Sequence, residues 1–329
     1  MPPRASRSTE RVRRLTAAEM GLAMPAQGAA APAAGSTTSA LPDDDPMLAT
    51  VRSLLETFGG VIFVGPPGTS KSWYAARVAR GLADGDESRV RFIQFHPSYQ
   101  YEDFVEGFVP RAGGNFELVP KHLLEWARRA AADPAHNHVL VIDELSRGDP
   151  GRIFGEALTY VEKTKRGLTF HLASGEACMI PDNLVFLATM NPLDRGVDEV
   201  DAAFERRFAK IAMDPDPALL EELLVEHGVD DGLRGRVVRF FTAAIARARE
   251  NPFAAIGHTF FLNVTDEDSL HRLWDHQLKF VFDKAYQLDP DGLREIRAQW
   301  DRIFSAGETS QSVAQANDEE LAAGTSPPP

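Results

Sequence analysis

Thiols are nearly absent from this sequence, which has one cysteine, Cys178, in 329 residues. A single thiol forms no intramolecular bridge and no thiolate cluster for zinc. That excludes a disulfide scaffold and makes a reducing cytoplasm the expected setting. Long apolar runs are missing too. No stretch reaches the ~20 residues that cross a bilayer, and the N-terminus has no apolar core of the secretory kind, so no membrane association is expected. Basic residues are in the minority: 35 Lys and Arg stand against 48 Asp and Glu, for a formal net charge of −13. Wholesale nucleic-acid binding needs many cationic contacts to phosphates, so any contact with DNA has to be local or indirect. Arg4, Arg7, Arg11, Arg13 and Arg14 could form a basic arm or part of a transit peptide, but a solvated tail is the plainer reading.

The chain is long enough to bury a proper core without staples. From Gln27 to Pro46 it is mostly Ala, Pro, Gly, Ser and Thr, ending in Asp43-Asp44-Asp45. Such a composition buries too little apolar surface to offset ordering entropy, so residues 1–45 are expected to be a disordered tail. Residues 305–329 read the same way. Between the tails, continuous apolar runs recur at Val61-Ile62-Phe63-Val64, Phe92-Ile93-Gln94-Phe95, Val139-Leu140-Val141-Ile142 and Leu184-Val185-Phe186-Leu187. Runs without polar alternation suit strands buried on both faces, and the segments between them have helical spacing. The expectation is an α/β domain over 46–213, an αβα sandwich around a parallel sheet. From about Asp214 the apolar positions keep helical spacing only, as in Leu219, Leu220, Leu223 and Leu224, which predicts a small all-helical domain over 214–304.

Three segments carry chemistry. The first apolar strand runs into Gly65-Pro66-Pro67-Gly68-Thr69-Ser70-Lys71-Ser72 and then a helix. In that context the turn's N–H groups and the helix N-terminus can cradle phosphates, Lys71 can reach the β- and γ-phosphates, and Ser72 can ligate Mg²⁺. The match departs from G-x-x-x-x-G-K-[ST] at Ser70, where a side chain could strain the backbone. The third strand delivers Asp143 and Glu144 at its C-terminal end, where ligands of open α/β sheets bind. Asp143 would hold the Mg²⁺ shell and Glu144 would polarise the attacking water. The fourth strand ends in Thr189-Met190-Asn191, and Asn191 could sense the γ-phosphate or simply start a turn before Pro192. Arg206 and Arg207 follow. A guanidinium that reaches a neighbour's γ-phosphate is worth roughly 10³ to 10⁵ in rate, although paired arginines also occur on solvated helix ends.

Taken together, these motifs resemble AAA+ proteins, and specifically their McrB-like branch, the motor subunits of restriction systems that cut modified DNA. The resemblance includes Phe95-His96-Pro97-Ser98-Tyr99-Gln100-Tyr101-Glu102-Asp103-Phe104, Met190-Asn191-Pro192-Leu193-Asp194-Arg195-Gly196, Phe204-Glu205-Arg206-Arg207-Phe208 and Gly257-His258-Thr259-Phe260-Phe261. It implies that Asn191 is a sensor, that Arg206 or Arg207 is a finger acting on a neighbour, and that copies assemble in a ring, usually a hexamer. It also implies a separate McrC-like nuclease, with Asp194 and Arg195 as candidate contacts. The nucleotide would be ATP, the commoner AAA+ choice, or GTP. A MoxR-like chaperone uses the same core without DNA, and a scaffold that binds nucleotide but barely hydrolyses it would follow if Ser70 distorts the loop. Neither a DNA-reading module nor a nuclease constellation is evident. His136-Asn137-His138 reads as a surface loop, and His96 and His258 as packing or hydrogen-bonding residues. Tyr99, Tyr101 and Phe104 read as core, and Arg147 and Asp149 are candidates for a subunit interface.

Overall fold

Helix starts are marked in the chain by Asp-Pro pairs. Asp45, Asp149, Asp216 and Asp289 each precede a proline, and each accepts backbone N–H groups of the helix it opens. Aspartate satisfies the orphan donors of the first turn, and proline at the first helical position gives up an N–H that has no partner there. The computed structural model describes residues 39–193 and 202–305. The N-terminal arginines and Asp194 and Arg195 lie outside these residues. The description begins before residue 45: Leu41 is 3% exposed, and Asp45 caps the first helix through its Oδ1.

Two compact units meet at Asp214 and Pro215 in the sequence. The first contains α1 (Pro46–Thr57), β1 (Gly60–Val64), α2 (Lys71–Leu82), β2 (Val90–Gln94), α3 (Tyr101–Phe104), β3 (Glu106–Pro110), β4 (Phe116–Pro120) and α4 (His122–Ala132). It continues through β5 (His138–Asp143), α5 (Pro150–Phe154), α6 (Ala157–Val161), β6 (Thr169–His171), β7 (Ala177–Met179), β8 (Leu184–Met190), α7 (Ala202–Glu205) and β9 (Phe208–Ala212). Five strands form one sheet in the order β2-β5-β8-β1-β9, with every neighbouring pair parallel. β8 sits at the centre and all seven of its residues are buried, as its apolar run predicts. β2 is an edge strand. Its Phe92 is 44% exposed although its run reads as buried on both faces.

Three strand features have no clear local signal in the sequence. β9 is the other edge strand; Ala209, Lys210 and Ala212 supply little apolar signal, and its place comes from pairing with β1. β3 with β4 and β6 with β7 form antiparallel hairpins outside the parallel sheet. The aromatic segment before β3 packs inward: Tyr99 stacks on Phe95 at 4.9 Å, and buried Phe104 meets Phe154 at 4.7 Å. His138 corrects the loop reading of His136-Asn137-His138, because it opens β5 and is buried, while His136 stays in the preceding turn.

In the second unit α8 (Pro217–Glu226), α9 (Asp231–Ala248), α10 (Glu267–Leu273), α11 (Lys279–Ala285) and α12 (Pro290–Asp301) follow, and a π-helical turn, Trp274–Leu278, joins α10 to α11. Its core is aromatic, with Trp274 stacked on Trp300 at 4.9 Å and Phe240 edge-on to Trp300 at 4.9 Å. His258 is buried here, and desolvation pulls its pKa down to about 4, which keeps the ring neutral near pH 7 and suits packing rather than acid-base work.

Candidate functional site

All five sheet strands point the same way, so their C-terminal ends share one edge, and ligands of open α/β sheets bind outside that edge. The Gly65–Ser72 loop leaves β1 there. It is held from both neighbours of β1: Gly65 N–H donates to Met190 O at 3.1 Å, and Met213 N–H donates to Val64 O at 2.7 Å. Gly65 has no room for a side chain, since a Cβ would lie 2.2 Å from Met213 O. Within the loop, Pro66 O accepts from Thr69 Oγ1 at 3.0 Å and from Lys71 Nζ at 2.7 Å. Gly68 has φ 77°, a conformation that glycine adopts without cost. Ser70 has φ 62° and ψ 20°, so it adopts the left-handed conformation that a glycine at this position would supply. For a residue with a Cβ that conformation costs roughly 1–2 kcal/mol.

The loop and the end of β5 converge. Ser72 Oγ donates to Asp143 Oδ1 at 2.8 Å across 71 residues of sequence. Lys71 is half-buried, and desolvation lowers its pKa, while the carboxylates of Glu144 and then Asp143 oppose that shift. A lysine, a serine and two carboxylates therefore gather at one place, beside a cleft of about 280 Å³ that Ser72 and Asp143 line. Hydroxyl and carboxylate oxygens are the donors Mg²⁺ prefers, and that ion usually takes one or two carboxylates and leaves its other positions to water and phosphate. Ser72 and Asp143 fit that requirement.

Adjacent side chains on a strand point to opposite faces, so Asp143 and Glu144 would diverge if β5 simply continued. Glu144 prevents this by taking φ 56° and ψ 47°. Its N–H donates to Thr189 Oγ1 at 3.1 Å, and the same hydroxyl donates to Asp143 Oδ1. The Glu144 carboxylate faces Arg147, with Nε 3.5 Å from Oε2. Thr189 thus links both acidic residues and is 1% exposed. It was missed as a functional residue, and the available signal was one hydroxyl in the otherwise apolar run Leu-Val-Phe-Leu-Ala-Thr-Met.

Asn191 lies just beyond β8. Its Oδ1 accepts from Leu193 N–H at 3.2 Å, and its backbone carbonyl accepts from Ser146 Oγ at 3.3 Å. Phosphate oxygens accept hydrogen bonds, so any contact of this side chain with a phosphate falls to the amide nitrogen. Arg206 and Arg207 are elsewhere. They precede β9 and so lie at the N-terminal edge of the sheet, about 16 Å from the phosphate loop by the length of a five-residue strand. The two differ. Arg206 is exposed, whereas Arg207 is 6% exposed, donates to Ala203 O, and accepts from Gly59 N–H through its own carbonyl at 2.8 Å.

Known proteins provide a further comparison. The family model described as AAA domain (dynein-related subfamily) matches residues 60–208, which spans the strands and loops of this site. The type IV methyl-directed restriction enzyme EcoKMcrB subunit of Escherichia coli K12 is 33% identical over 174 residues, covering 50% of this chain and 38% of that protein. The type II restriction enzyme BsuMI component YdiS of Bacillus subtilis 168 is 29% identical over 189 residues, covering 45% of this chain and 55% of that protein. In both cases the matched segment spans well under two thirds of the relative's length.

Proposed function

We propose that this chain, whose residues 60–208 form an AAA domain of the dynein-related subfamily, is a Mg²⁺-dependent nucleoside triphosphatase that works in a ring of copies and drives a separate nuclease, or DNA movement, in a restriction system. The observation that carries this reading is the 2.8 Å contact between Ser72 and Asp143 with Lys71 beside it. Bound Mg²⁺ would neutralise charge on the phosphates, and Ser72 and Asp143 would hold it. Lys71 would leave Pro66 O for the β- and γ-phosphates. Glu144 would orient and polarise the attacking water, and the Asn191 amide nitrogen would meet the γ-phosphate or that water.

The sheet edges support action between copies. An arginine at the N-terminal edge is too far from its own phosphate loop, so Arg206 suits the nucleotide of a neighbour, and buried Arg207 suits the support of that segment. We assign a ring, most simply a hexamer, as the assembly in which this division of labour works. Both matched relatives are components of restriction enzymes, which favours a restriction role over a MoxR-like chaperone role. The scaffold reading is weakened because Ser70 itself adopts the left-handed backbone. We assign ATP as the nucleotide, with GTP as the alternative, and a McrC-like nuclease reached through Asp194 and Arg195 as the partner.

The test is phosphate release from ATP and from GTP, with and without Mg²⁺, by wild type and Glu144→Gln, alongside the mass of the assembly with nucleotide bound. Turnover that needs Mg²⁺ and disappears in Glu144→Gln is expected, with a ring mass in both proteins. Equal rates in the two proteins would remove Glu144 from the reaction.

A further inference from the structure

At the N-terminal edge of the sheet, a pocket of about 460 Å³ lies apart from the phosphate loop. Gly59, Glu162, Lys163, Lys165, Arg206 and Arg207 are among its lining residues. Four of these are cations and one is an acid, so three positive charges are unmatched in the lining. Even the acid is shared loosely, because Glu162 Oε2 is 3.9 Å from Lys165 Nζ and 3.9 Å from Arg207 Nε. Behind the pocket, buried Arg166 adds another positive charge. Its guanidinium donates to the carbonyls of Gly59, Val161, Pro181 and Leu184. Arg207 Nε is sealed from solvent and has no hydrogen-bond partner among the described residues. Burying a donor this way is unfavourable, and clustered like charges add to the cost, so the arrangement favours an anion. Burial first, and then Arg166, hold the Lys163 ammonium below its ordinary pKa, while the Asp182 carboxylate opposes that shift.

A carboxylate would bring one negative charge, whereas a phosphate brings up to about two and three acceptor oxygens, a closer match to the excess. We infer that this pocket is a second phosphate site, in which Lys163 and Lys165 join Arg206 in gripping the terminal phosphates of the nucleotide held by a neighbouring copy. The inference rests on the ring reading above and adds two residues that the arginine pair does not predict. Lys163 and Lys165 are half-exposed and pack no core, so their replacement leaves the fold in place.

The test is complementation between copies. The double variant Lys163→Ala/Lys165→Ala is assayed for ATP turnover alone and after mixing with Glu144→Gln copies, which do not hydrolyse but offer an intact pocket. Arg206→Ala is assayed the same way. The double variant is expected to turn over about tenfold more slowly than wild type, and mixing should recover activity. A wild-type rate in the double variant would overturn the inference, and so would a loss that mixing does not recover while Arg206→Ala is recovered. In that second result the lysines act within their own copy or on free phosphate, and the ring reading survives. If neither variant is recovered, the ring reading fails and takes this inference with it.

Discussion

The two edges of the five-stranded sheet carry opposite chemistry. At the C-terminal edge, Asp143 and Glu144 face one lysine, the backbone is strained at Ser70 and Glu144, and a buried hydroxyl, Thr189, ties the acidic residues together. At the N-terminal edge, cations outnumber acids around Arg206, and no residue of its pocket lining has a positive φ. On the function proposed above, one edge would hold a metal-bound polyphosphate, and the other would receive negative charge from outside. A parallel sheet separates them by the length of its strands, so neither edge can complete the other within one copy. The lesson is that strand direction divides the candidate residues between two ends, and on the function proposed above joining the halves takes two molecules.

Four substitutions test that contrast. The largest effect is expected from Arg206→Ala at the N-terminal edge. Turnover should fall roughly 10³- to 10⁵-fold while nucleotide binding persists, read as phosphate release beside equilibrium binding of a fluorescent nucleotide. A loss of binding instead would place Arg206 in its own copy's site and erase the contrast. Glu144→Gln at the C-terminal edge should lower turnover roughly 10²- to 10⁴-fold, again with binding retained. Unlike Arg206→Ala, its hydrolytic site should stay silent in mixed assemblies, because a neighbour cannot supply a lost base.

A smaller effect is expected from Thr189→Val, which keeps the shape of the side chain but removes the donor to Asp143 and the acceptor for the Glu144 amide. Stability should fall by about 1–3 kcal/mol in chemical denaturation, the cost of leaving that amide unpaired. Turnover should fall about tenfold, and Thr189→Ser should restore it. A Thr189→Val protein with wild-type turnover would show that Asp143 and Glu144 need no such tie. The smallest effect belongs to Ser70→Gly. Relief of the left-handed serine should raise stability by roughly 1 kcal/mol, seen as a few degrees in Tm, and turnover should stay within about twofold. A large rise in turnover would instead revive the scaffold reading, in which Ser70 impairs the loop.

Much of the architecture is legible along the chain because its signals are local. The run Val139–Ile142 reads as a buried strand from its own residues, and the Asp-Pro pairs at 45–46, 149–150, 216–217 and 289–290 coincide with helix starts. β9 was not legible, since Phe-Ala-Lys-Ile-Ala has a weak pattern and becomes a strand by pairing with β1. Phe92 was misread for the converse reason, because its run suits a central strand but the strand lies at the edge.

By itself, the amino-acid order determined the chemistry on offer: a phosphate loop with serine at the left-handed position, an Asp-Glu pair closing an apolar run, and two arginines before an aromatic. These depend on neighbours in sequence, which residue type and spacing specify. Only the tertiary structure decided that Ser72 meets Asp143, that Thr189 links Asp143 to Glu144, that Arg207 is buried while Arg206 is exposed, and that Lys163 and Lys165 stand beside them. Each of those facts depends on strand order and register, which bring distant residues together and which no local pattern encodes.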